Sequence, residues 1–303
     1  MTFKHWFKRG LAALGIAASA VACTTAAETA PQTATPRPAL WQVADKDTTI
    51  YLFGTIHLLP ENYQWRTPKL DAAVNRSNGL VVETLIDTKN PAELLSVLMR
   101  LGVSQNLPPL ISRVPPEKQA ALRAAVTASG VPMAAFDRME TWAAAFTLIG
   151  TQFRSIGLQS DEGVETVLKQ AFTAAGKPVG QLETNAEQLG FFDALPEDAQ
   201  RTLLVASLDQ PDTVRQQFHD MLAAWARGDV KAISHTFNDD MIGSSALSDA
   251  LLKRRNANWA GWIERRMAQP GAVMVAVGAG HLAGDSSVQT LLEKRGLKVR
   301  RIQ

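Results

Sequence analysis

Two histidines occupy the same short motif near opposite ends of the chain. His57 lies in GTIHL at Gly54–Leu58, and His281 lies in GAGHL at Gly278–Leu282, 224 residues further on. Each motif follows an apolar run, and a glycine permits a sharp exit from a strand. We therefore expect both histidines just beyond strand ends, and the repetition indicates that they share one site.

Two glutamates follow apolar runs in the same way, Glu83 after LVV and Glu183 after PVGQL. Imidazole and carboxylate are ligands for Zn, Mn, Fe and Co, and two histidines with one carboxylate leave positions open for water and substrate. A metal would lower the pKa of bound water, and a second glutamate could act as general base. Without a metal, a His–Glu pair could activate water directly.

Other catalytic patterns are missing from the sequence. It contains no HExxH zinc-protease motif and no GxSxG nucleophile motif. The glycines of VGAGHLAG are spaced one residue too long for a GxGxxG phosphate loop, so dinucleotide binding is not expected. No site role is expected for His5, which belongs to the leader, or for His219 and His235, which lie among polar residues of predicted helices.

The elements that must hold these residues form two similar units. ALWQVADKDTTIYLFGTIH predicts a β-hairpin whose second strand leads to His57, followed by a helix at Pro68–Ser77 with Thr67 as N-cap and a strand ending at Glu83. The C-terminal segment repeats this order around His281. Strand–helix–strand crossovers predict parallel neighbouring strands, with the motif loops at the carboxyl edge where α/β sheets bind ligands.

The middle of the chain is predicted to be mostly helical, with one short strand ending at Glu183. The Trp-rich NWAGWIERRM is typical of a buried helix face. We therefore predict an α/β fold with a mixed central sheet, flanking helices, pseudo-symmetric strand–GxxH–helix–strand units and a largely helical middle insertion. The predicted helices are Asn90–Leu101, Pro116–Ser129, Glu140–Arg154, Asp161–Ala175, Glu197–Leu208, Asp212–Arg227 and Ala246–Met267.

The N-terminal residues predict export. Three basic residues precede the apolar run Leu11–Ala22, which is too short to span a bilayer and has the layout of a secretory signal. We assign residues 1–22 to a signal peptide, the Thr-, Ala- and Pro-rich residues 23–38 to a disordered tether, and residues 39–303 to a single α/β domain.

Cys23, the sole cysteine, directly follows Ala20-Val21-Ala22. Either ordinary cleavage leaves a free thiol, or the segment acts as a lipobox and Cys23 is acylated, which would anchor the protein to a membrane of the bacterial envelope. Both alternatives place the protein in the periplasm or at an envelope surface, and neither allows a disulfide within the chain.

Removal of the signal also changes the charge. It takes away three basic residues and no acidic one, so the formal charge falls from +2 to −1. No excess of positive charge remains to hold a phosphate backbone, and nucleic acid is not an expected partner. The expected partner is a peptide or small-molecule substrate.

Five blocks of the sequence resemble, in order, those of the TraB/GumN family, which is similar to the Tiki peptidases and, more distantly, to the erythromycin esterases. The resemblance runs from Leu40 to Ile302 and implies an α/β domain with a pseudo-symmetric core and inserted helices. The blocks are YLFGTIHLLP, LVVETLID, GKPVGQLETNAEQLGFFDALP, RRNANWAGWI and VAVGAGHLAGDSSVQTLLEKRGLKV.

The resemblance also implies roles for individual residues. His57, Glu83 and His281 would carry the activity, in a site that Tiki proteins use for metal-dependent peptide cleavage. Arg255 matches the family's arginine and could bind a substrate carboxylate or stabilise an oxyanion, although a helix-surface salt bridge is the alternative. Glu183 matches the glutamate of the family's Leu-Glu pair, and the resemblance supports a role in activity less strongly for it than for His57, Glu83 and His281.

Two short stretches depart from the family pattern. The chain has Thr141-Trp142 in place of Pro-Trp, and Gly163-Val164-Glu165 in place of Gly-Leu-Asp. We expect neither stretch to touch the site.

Three functions are consistent with these residues. The first is an exported hydrolase, a peptidase dependent on Mn, Co, Fe or Zn bound by His57, Glu83 and His281, with Glu183 or bound hydroxide as base and Arg255 orienting the substrate. The second is a metal-free hydrolase in which a His–Glu pair activates water against an ester or amide. The third is a protein that binds a peptide or partner in the same cleft without turnover.

Overall fold

The computed structural model describes residues 35–86, 92–236 and 244–303. The predicted signal peptide, Cys23 and the Asn90 helix cap lie outside these ranges and stay predictions. Arg37 and Pro38, from the end of the predicted tether, contact the folded body: Arg37 N donates to Ala226 O at 2.6 Å and Pro38 O accepts from Gln303 Nε2 at 2.8 Å. Within the described ranges, no helix is both long and apolar enough to cross a membrane.

A six-stranded mixed sheet forms the centre of the described structure, in the order β4-β3-β5-β2-β1-β6. Strands β4, β3, β5 and β2 run parallel to one another, whereas β1 is antiparallel to both β2 and β6. The predicted α/β class with a mixed sheet is confirmed. The strands are β1 Leu40–Ala44, β2 Thr48–Thr55, β3 Gly79–Val82, β4 Val179–Gln181, β5 Gly271–Gly278 and β6 Val299–Arg301.

The predicted hairpin forms between β1 and β2, with Ala44 opposite Thr49. Its turn is held by the Asp45 side chain, whose Oδ1 accepts from Thr48 N at 2.8 Å. This is the local capping that makes aspartate common in turns.

The order of the parallel strands differs from the predicted one. Strands β2 and β3 run in the same direction but are separated by β5, and β5 and β6 are separated by β2 and β1. The expectation that each unit pairs its own two strands was wrong. Instead the two GxxH strands pair with each other, with Thr55 of β2 opposite Gly278 of β5. Because β2 and β3 pair with its two edges, β5 lies inside the sheet and is buried from Val273 to Gly278.

Helices cover both faces of the sheet. Alternate residues of β5 face opposite sides, so Val273, Val275 and Val277 pack with Trp259 while Met274 and Ala276 join the larger core of the helical middle. The helices are α1 Pro68–Arg76, α2 Ala92–Gly102, α3 Gln119–Ser129, α4 Met133–Phe136, α5 Thr141–Ser155, α6 Val164–Ala174, α7 Asn185–Asp193, α8 Glu197–Ala206, α9 Pro211–Ala226, α10 Val230–Ser234, α11 Ser245–Ser248, α12 Arg254–Met267 and α13 Val288–Lys294.

Helix α7 was absent from the sequence-based prediction. Its start carries a capping box, in which Thr184 Oγ1 accepts from Glu187 N and the Glu187 carboxylate accepts from Thr184 N. The spacing of threonine and glutamate three residues apart is a sequence signal for a helix start and could have revealed it.

The last long predicted helix contains an irregularity next to a site residue. Residues Asp249–Lys253 form a π-helical segment between α11 and α12, which ends two residues before Arg255. Such segments are frequent at functional sites. The buried face of α12 includes Arg255, Asn256 and Trp259, so the Trp-rich stretch lies in the core as predicted and also reaches the site.

Candidate active site

The four residues predicted from strand ends lie beyond four adjacent parallel strands. Along β4, β3, β5 and β2, the residues that follow the carboxyl ends are Glu183, Glu83, His281 and His57. Because parallel strands end at the same edge, these side chains converge on one region. Glu83, Glu183 and His281 are buried, and the side chains of His57 and Glu165 are 12% exposed.

Glycine allows the two histidine turns to pack against each other. A Cβ atom at Gly54 would lie 3.1 Å from Ala279 Cα, so any other residue there would push the turns apart. Trp225 Nε1 donates to Gly54 O at 2.8 Å from the other side. The first glycine of GTIH therefore sets how closely the His57 and His281 turns approach.

Arg255 is fully buried at the centre of the cluster. Its Nη2 lies 2.6 Å from Glu83 Oε2 and 2.9 Å from Glu183 Oε2, and its Nε donates to the Glu183 carboxylate at 3.0 Å. Its Nη1 contacts His281 Nε2 at 3.2 Å and Leu251 O at 3.4 Å. Arg255 is thus an interior member of the site and not a surface ion pair, and its donors are occupied by protein groups.

Glu83 is held as a carboxylate. Its Oε1 accepts from Gly278 N at 2.7 Å and its Oε2 from Gln188 Nε2 at 3.1 Å, in addition to the Arg255 contact. Burial alone would raise the pKa of Glu83, but the charge of Arg255, together with His57 and the Gly278 N–H, outweighs burial and lowers this pKa to about 2.

Glu183 has a less stabilised charge. Trp259 Nε1 donates to its Oε1 at 2.9 Å, alongside the Arg255 contacts. Burial raises the pKa of Glu183 above its ordinary value, despite the opposing effect of Arg255. The two carboxylates that share Arg255 therefore differ in their tendency to take up a proton.

His281 is a neutral acceptor in this arrangement. Its Nδ1 contacts Asn256 Oδ1 at 2.6 Å, and its ring centre lies 4.3 Å from that of Trp259. Burial and the charge of Arg255 lower the pKa of His281 to about 3. Because a guanidinium only donates, the His281 nitrogen that faces Arg255 carries a lone pair.

His57 has a different environment. Its Nδ1 lies 2.6 Å from Glu165 Oε1, and Thr55 Oγ1 donates to the same carboxylate oxygen. Burial alone would lower the pKa of His57, but the charge and hydrogen bond of Glu165 outweigh it and raise this pKa. Its Nε2 is buried and has no hydrogen-bond partner among the described residues.

The expectation that Glu165 lies away from the site was wrong. Gly163 makes the contact possible, because a Cβ there would overlap the carbonyl oxygen of His57. Val164 N also donates to Ile56 O at 3.0 Å, which brings the start of α6 against the His57 turn. The departure from the family's Gly-Leu-Asp pattern marked this segment, but nothing local in the sequence linked it to His57.

Three further residues of the site were missed as site residues. Trp259 lies four residues after Arg255 and three after Asn256 on α12, and these spacings, visible in the sequence, bring helix side chains together. Gln188 contacts Glu83 from α7, which was not predicted. Of the five predicted residues, Arg255, Glu83, Glu183 and His281 form one buried cluster, whereas the fifth, His57, pairs with Glu165.

The fit of this site to a divalent metal is partial. The free Nε2 of His57, oriented by a carboxylate on Nδ1, suits a metal ligand. The acceptor atoms of Glu83 and His281 face Arg255 instead of a common open point, and no group of three His, Cys, Asp or Glu side chains within the described ranges is arranged to hold a metal ion. The predicted ligand set of His57, Glu83 and His281 stays a prediction.

Comparison with known proteins identifies the family to which this chain belongs. A sequence profile of the TraB/PrgY/gumN family matches residues 39–301. An Escherichia coli (strain K12) protein named "Uncharacterized protein YbaP" is 26% identical over 245 residues, which cover 80% of this chain and 87% of the relative. A Treponema pallidum (strain Nichols) protein named "Uncharacterized protein" is 24% identical over 272 residues, or 85% of this chain and 80% of the relative. No solved structure gives a significant match. The chain belongs to the TraB/PrgY/gumN family.

Proposed function

We propose that this protein is a hydrolase that cleaves an ester or amide bond, peptide bonds included, and that His57 activates the attacking water. The observation that carries the proposal is the pairing of His57 Nδ1 with Glu165, at 2.6 Å, while Nε2 lacks a partner within the described residues. A histidine held through one nitrogen by a carboxylate, with the other nitrogen free, is the arrangement of a general base.

The reaction uses the two nitrogens of His57 in turn. Nε2 takes a proton from water as the water oxygen attacks the substrate carbonyl, and Glu165 stabilises the imidazolium that forms. The imidazolium then returns that proton to the leaving alcohol or amine as the carbon–oxygen or carbon–nitrogen bond breaks. The raised pKa of His57 is consistent with stabilisation of the imidazolium by Glu165.

In this proposal the Arg255 cluster has a structural role and takes no part in proton transfer. Arg255 is fully buried and bonded to both glutamates, so its first role is to hold Glu83 and His281 in place beside His57. A direct contact between Arg255 and substrate requires one of these partners to move. The resemblance to peptidases and esterases supports a carbonyl substrate.

The test is a screen of full-length protein against chromogenic esters and fluorogenic peptides, with and without EDTA. We expect turnover that persists in EDTA and falls by about 10²- to 10⁴-fold in His57→Ala, the range for loss of a general base. His235→Ala is the matched control, since His235 lies at the C-terminal end of α10. Turnover that is equal in wild type and His57→Ala would refute the proposed base, and substrate binding without turnover would indicate a binding protein.

A metal-dependent peptidase is the second candidate, favoured by the charge of the site. Glu83 and Glu183 share one permanently charged cation, Arg255, and Glu165 pairs with His57, so a further cation would balance the charge of the carboxylates. His57 Nε2 would be one ligand, and Glu83 and His281 could join it only if Arg255 moved aside. A divalent ion there would polarise the carbonyl and lower the pKa of water.

Metal content separates the two candidates. Mass spectrometry of protein purified without a histidine tag would detect near-stoichiometric Mn, Co, Fe or Zn in the second case, lost in a folded His57→Ala/His281→Ala variant. If added ions do not bind and turnover persists after EDTA treatment, the metal-free reaction stands.

We further propose that the enzyme works in the periplasm or at an envelope membrane, after residues 1–22 direct export and Cys23 is acylated. The support is the basic-then-apolar leader and the position of Cys23 after Ala20-Val21-Ala22. Intact-protein mass spectrometry of the membrane fraction tests it, with Cys23→Ser as the control. A mature mass without lipid would favour ordinary cleavage and a soluble periplasmic protein.

A further inference from the structure

Asn256 lies directly after Arg255 on α12 and is 1% exposed. Its two side-chain polar atoms have different partners. Nδ2 donates to Ser286 O at 2.8 Å, and Oδ1 lies 2.6 Å from His281 Nδ1. Because a backbone carbonyl can only accept, the Ser286 contact assigns the nitrogen and oxygen of the amide.

The orientation of this amide determines the proton position on His281. An amide oxygen only accepts, so His281 Nδ1 must donate to Asn256. In the neutral ring the other nitrogen, Nε2, then has a lone pair, and this atom lies 3.2 Å from Arg255 Nη1, which only donates. Arg255 therefore donates to His281, His281 donates to Asn256, and Asn256 donates to Ser286 O. Every donor in this series meets an acceptor.

We propose that Asn256 is a positioning residue that keeps His281 in the Nδ1–H tautomer, so that His281 Nε2 accepts from Arg255 and fixes the guanidinium between Glu83 and Glu183. In this role His281 is an acceptor that orients Arg255, and it neither gives nor takes the proton that His57 handles. The tautomer of His281 is a property of the free protein. Only its effect on hydrolysis rests on the proposed function.

Packing supports a fixed ring. Trp259 lies against His281, with ring centres 4.3 Å apart, and also under Arg255, whose guanidinium carbon is 4.7 Å from the indole centre. One helix, α12, therefore holds the His281 ring at three places: Arg255 contacts Nε2, Asn256 contacts Nδ1, and Trp259 packs against the ring. Loss of Asn256 would leave a buried Nδ1–H without an acceptor, which is unfavourable in the interior.

The test is a long-range ¹H–¹⁵N spectrum of full-length, EDTA-treated protein with labelled histidine, in which protonated and bare ring nitrogens are distinguished. His281→Gln identifies the His281 signals by their loss. We expect a single tautomer in wild type, with Nδ1 protonated and Nε2 bare. In Asn256→Leu, which keeps a similar volume without an acceptor, we expect a shift to a mixture that includes Nε2–H.

Gln200→Leu is the matched control, because it removes a buried amide that bonds to Trp142 N and Leu195 O, away from His281. It should leave the His281 tautomer unchanged. If Asn256→Leu does not fold, Asn256→Ala removes the acceptor without that volume. The wild-type tautomer itself is read without any Asn256 variant, with His281→Gln used only for assignment.

The other outcomes would overturn the inference. A wild-type ring with Nε2 protonated, or with both nitrogens protonated, contradicts the assigned direction of the bonds. An Asn256→Leu spectrum identical to wild type would mean that Arg255 alone sets the tautomer. None of these NMR measurements requires a substrate. The inference about the tautomer and the proposed hydrolysis can therefore be refuted independently.

Discussion

Glu165 Oε1 lies 2.6 Å from His57 Nδ1, and this contact joins the start of α6 to the turn after β2. The carboxylate accepts from both His57 and Thr55, whereas its Oε2 is buried without a partner among the described residues. Glu165 is therefore committed to His57, and the properties of that imidazole should depend on it.

Glu165→Gln should lower the pKa of His57, because burial remains while the charge that favours the imidazolium is lost. If His57 is the general base, activity should fall by up to about 10⁴-fold, as when the carboxylate that holds a catalytic histidine in its tautomer becomes an amide. An NMR titration of the EDTA-treated protein gives the pKa. Glu162→Gln, three residues earlier, is the control, and an unchanged His57 pKa in Glu165→Gln would contradict the pairing.

Gly163→Ala should disrupt the same contact from the backbone side. A methyl group there would overlap His57 O, a backbone atom that cannot rotate away. We expect a loss of stability of about 1–3 kcal/mol, as for overpacking, together with loss of activity. Denaturant unfolding measures the first of these.

Gly190→Ala is the control for Gly163→Ala. Gly190 lies inside α7, and a Cβ there meets nothing within 4 Å. Alanine should be neutral or stabilise this helix by up to about 1 kcal/mol. Equal effects of the two substitutions would mean that the close approach of Gly163 to His57 is not required.

The strand ends, the two histidine turns and their glutamates were predictable because each is a local pattern of apolar residues followed by glycine or a polar side chain. The position of β5 between β2 and β3 was not predictable, since strand order depends on which distant faces pack together. The same limit applies to Glu165, whose link to His57 depends on a close backbone approach at Gly163. Arg255 was found by family resemblance, but its complete burial follows from the fold of α12.

Thr184→Ala should destabilise α7, which carries Gln188 to Glu83. It removes the acceptor for Glu187 N, a hydrogen bond of 3.2 Å, and the loss should be about 1 kcal/mol. The pKa of Glu187 is lowered by its hydrogen bonds to Thr184, so its part of this stability is present above the ordinary value of 4.5 and is lost as pH falls through the lower folded pKa.

The difference in unfolding free energy between wild type and Thr184→Ala should therefore shrink below about pH 4.5. Urea unfolding at pH 7 and at pH 3.5 measures this difference. Thr202→Ala in α8 is the control, because its hydroxyl bonds to Asp198 O within the helix and caps nothing. A difference that grows in acid would contradict the capping box.

Arg255→Met should be the most destabilising of these substitutions. It leaves Glu83 and Glu183 buried without their shared cation, and removal of one partner from a buried ion pair costs about 3–5 kcal/mol. Lys253→Met, two residues earlier, is the matched control, since Lys253 pairs with Asp249 at an exposed position and such pairs contribute little. Denaturant unfolding of both variants measures the contrast. A similar, small loss for both would mean that the carboxylates are already neutralised by protons or by a bound cation, and that Arg255 does not hold the site together.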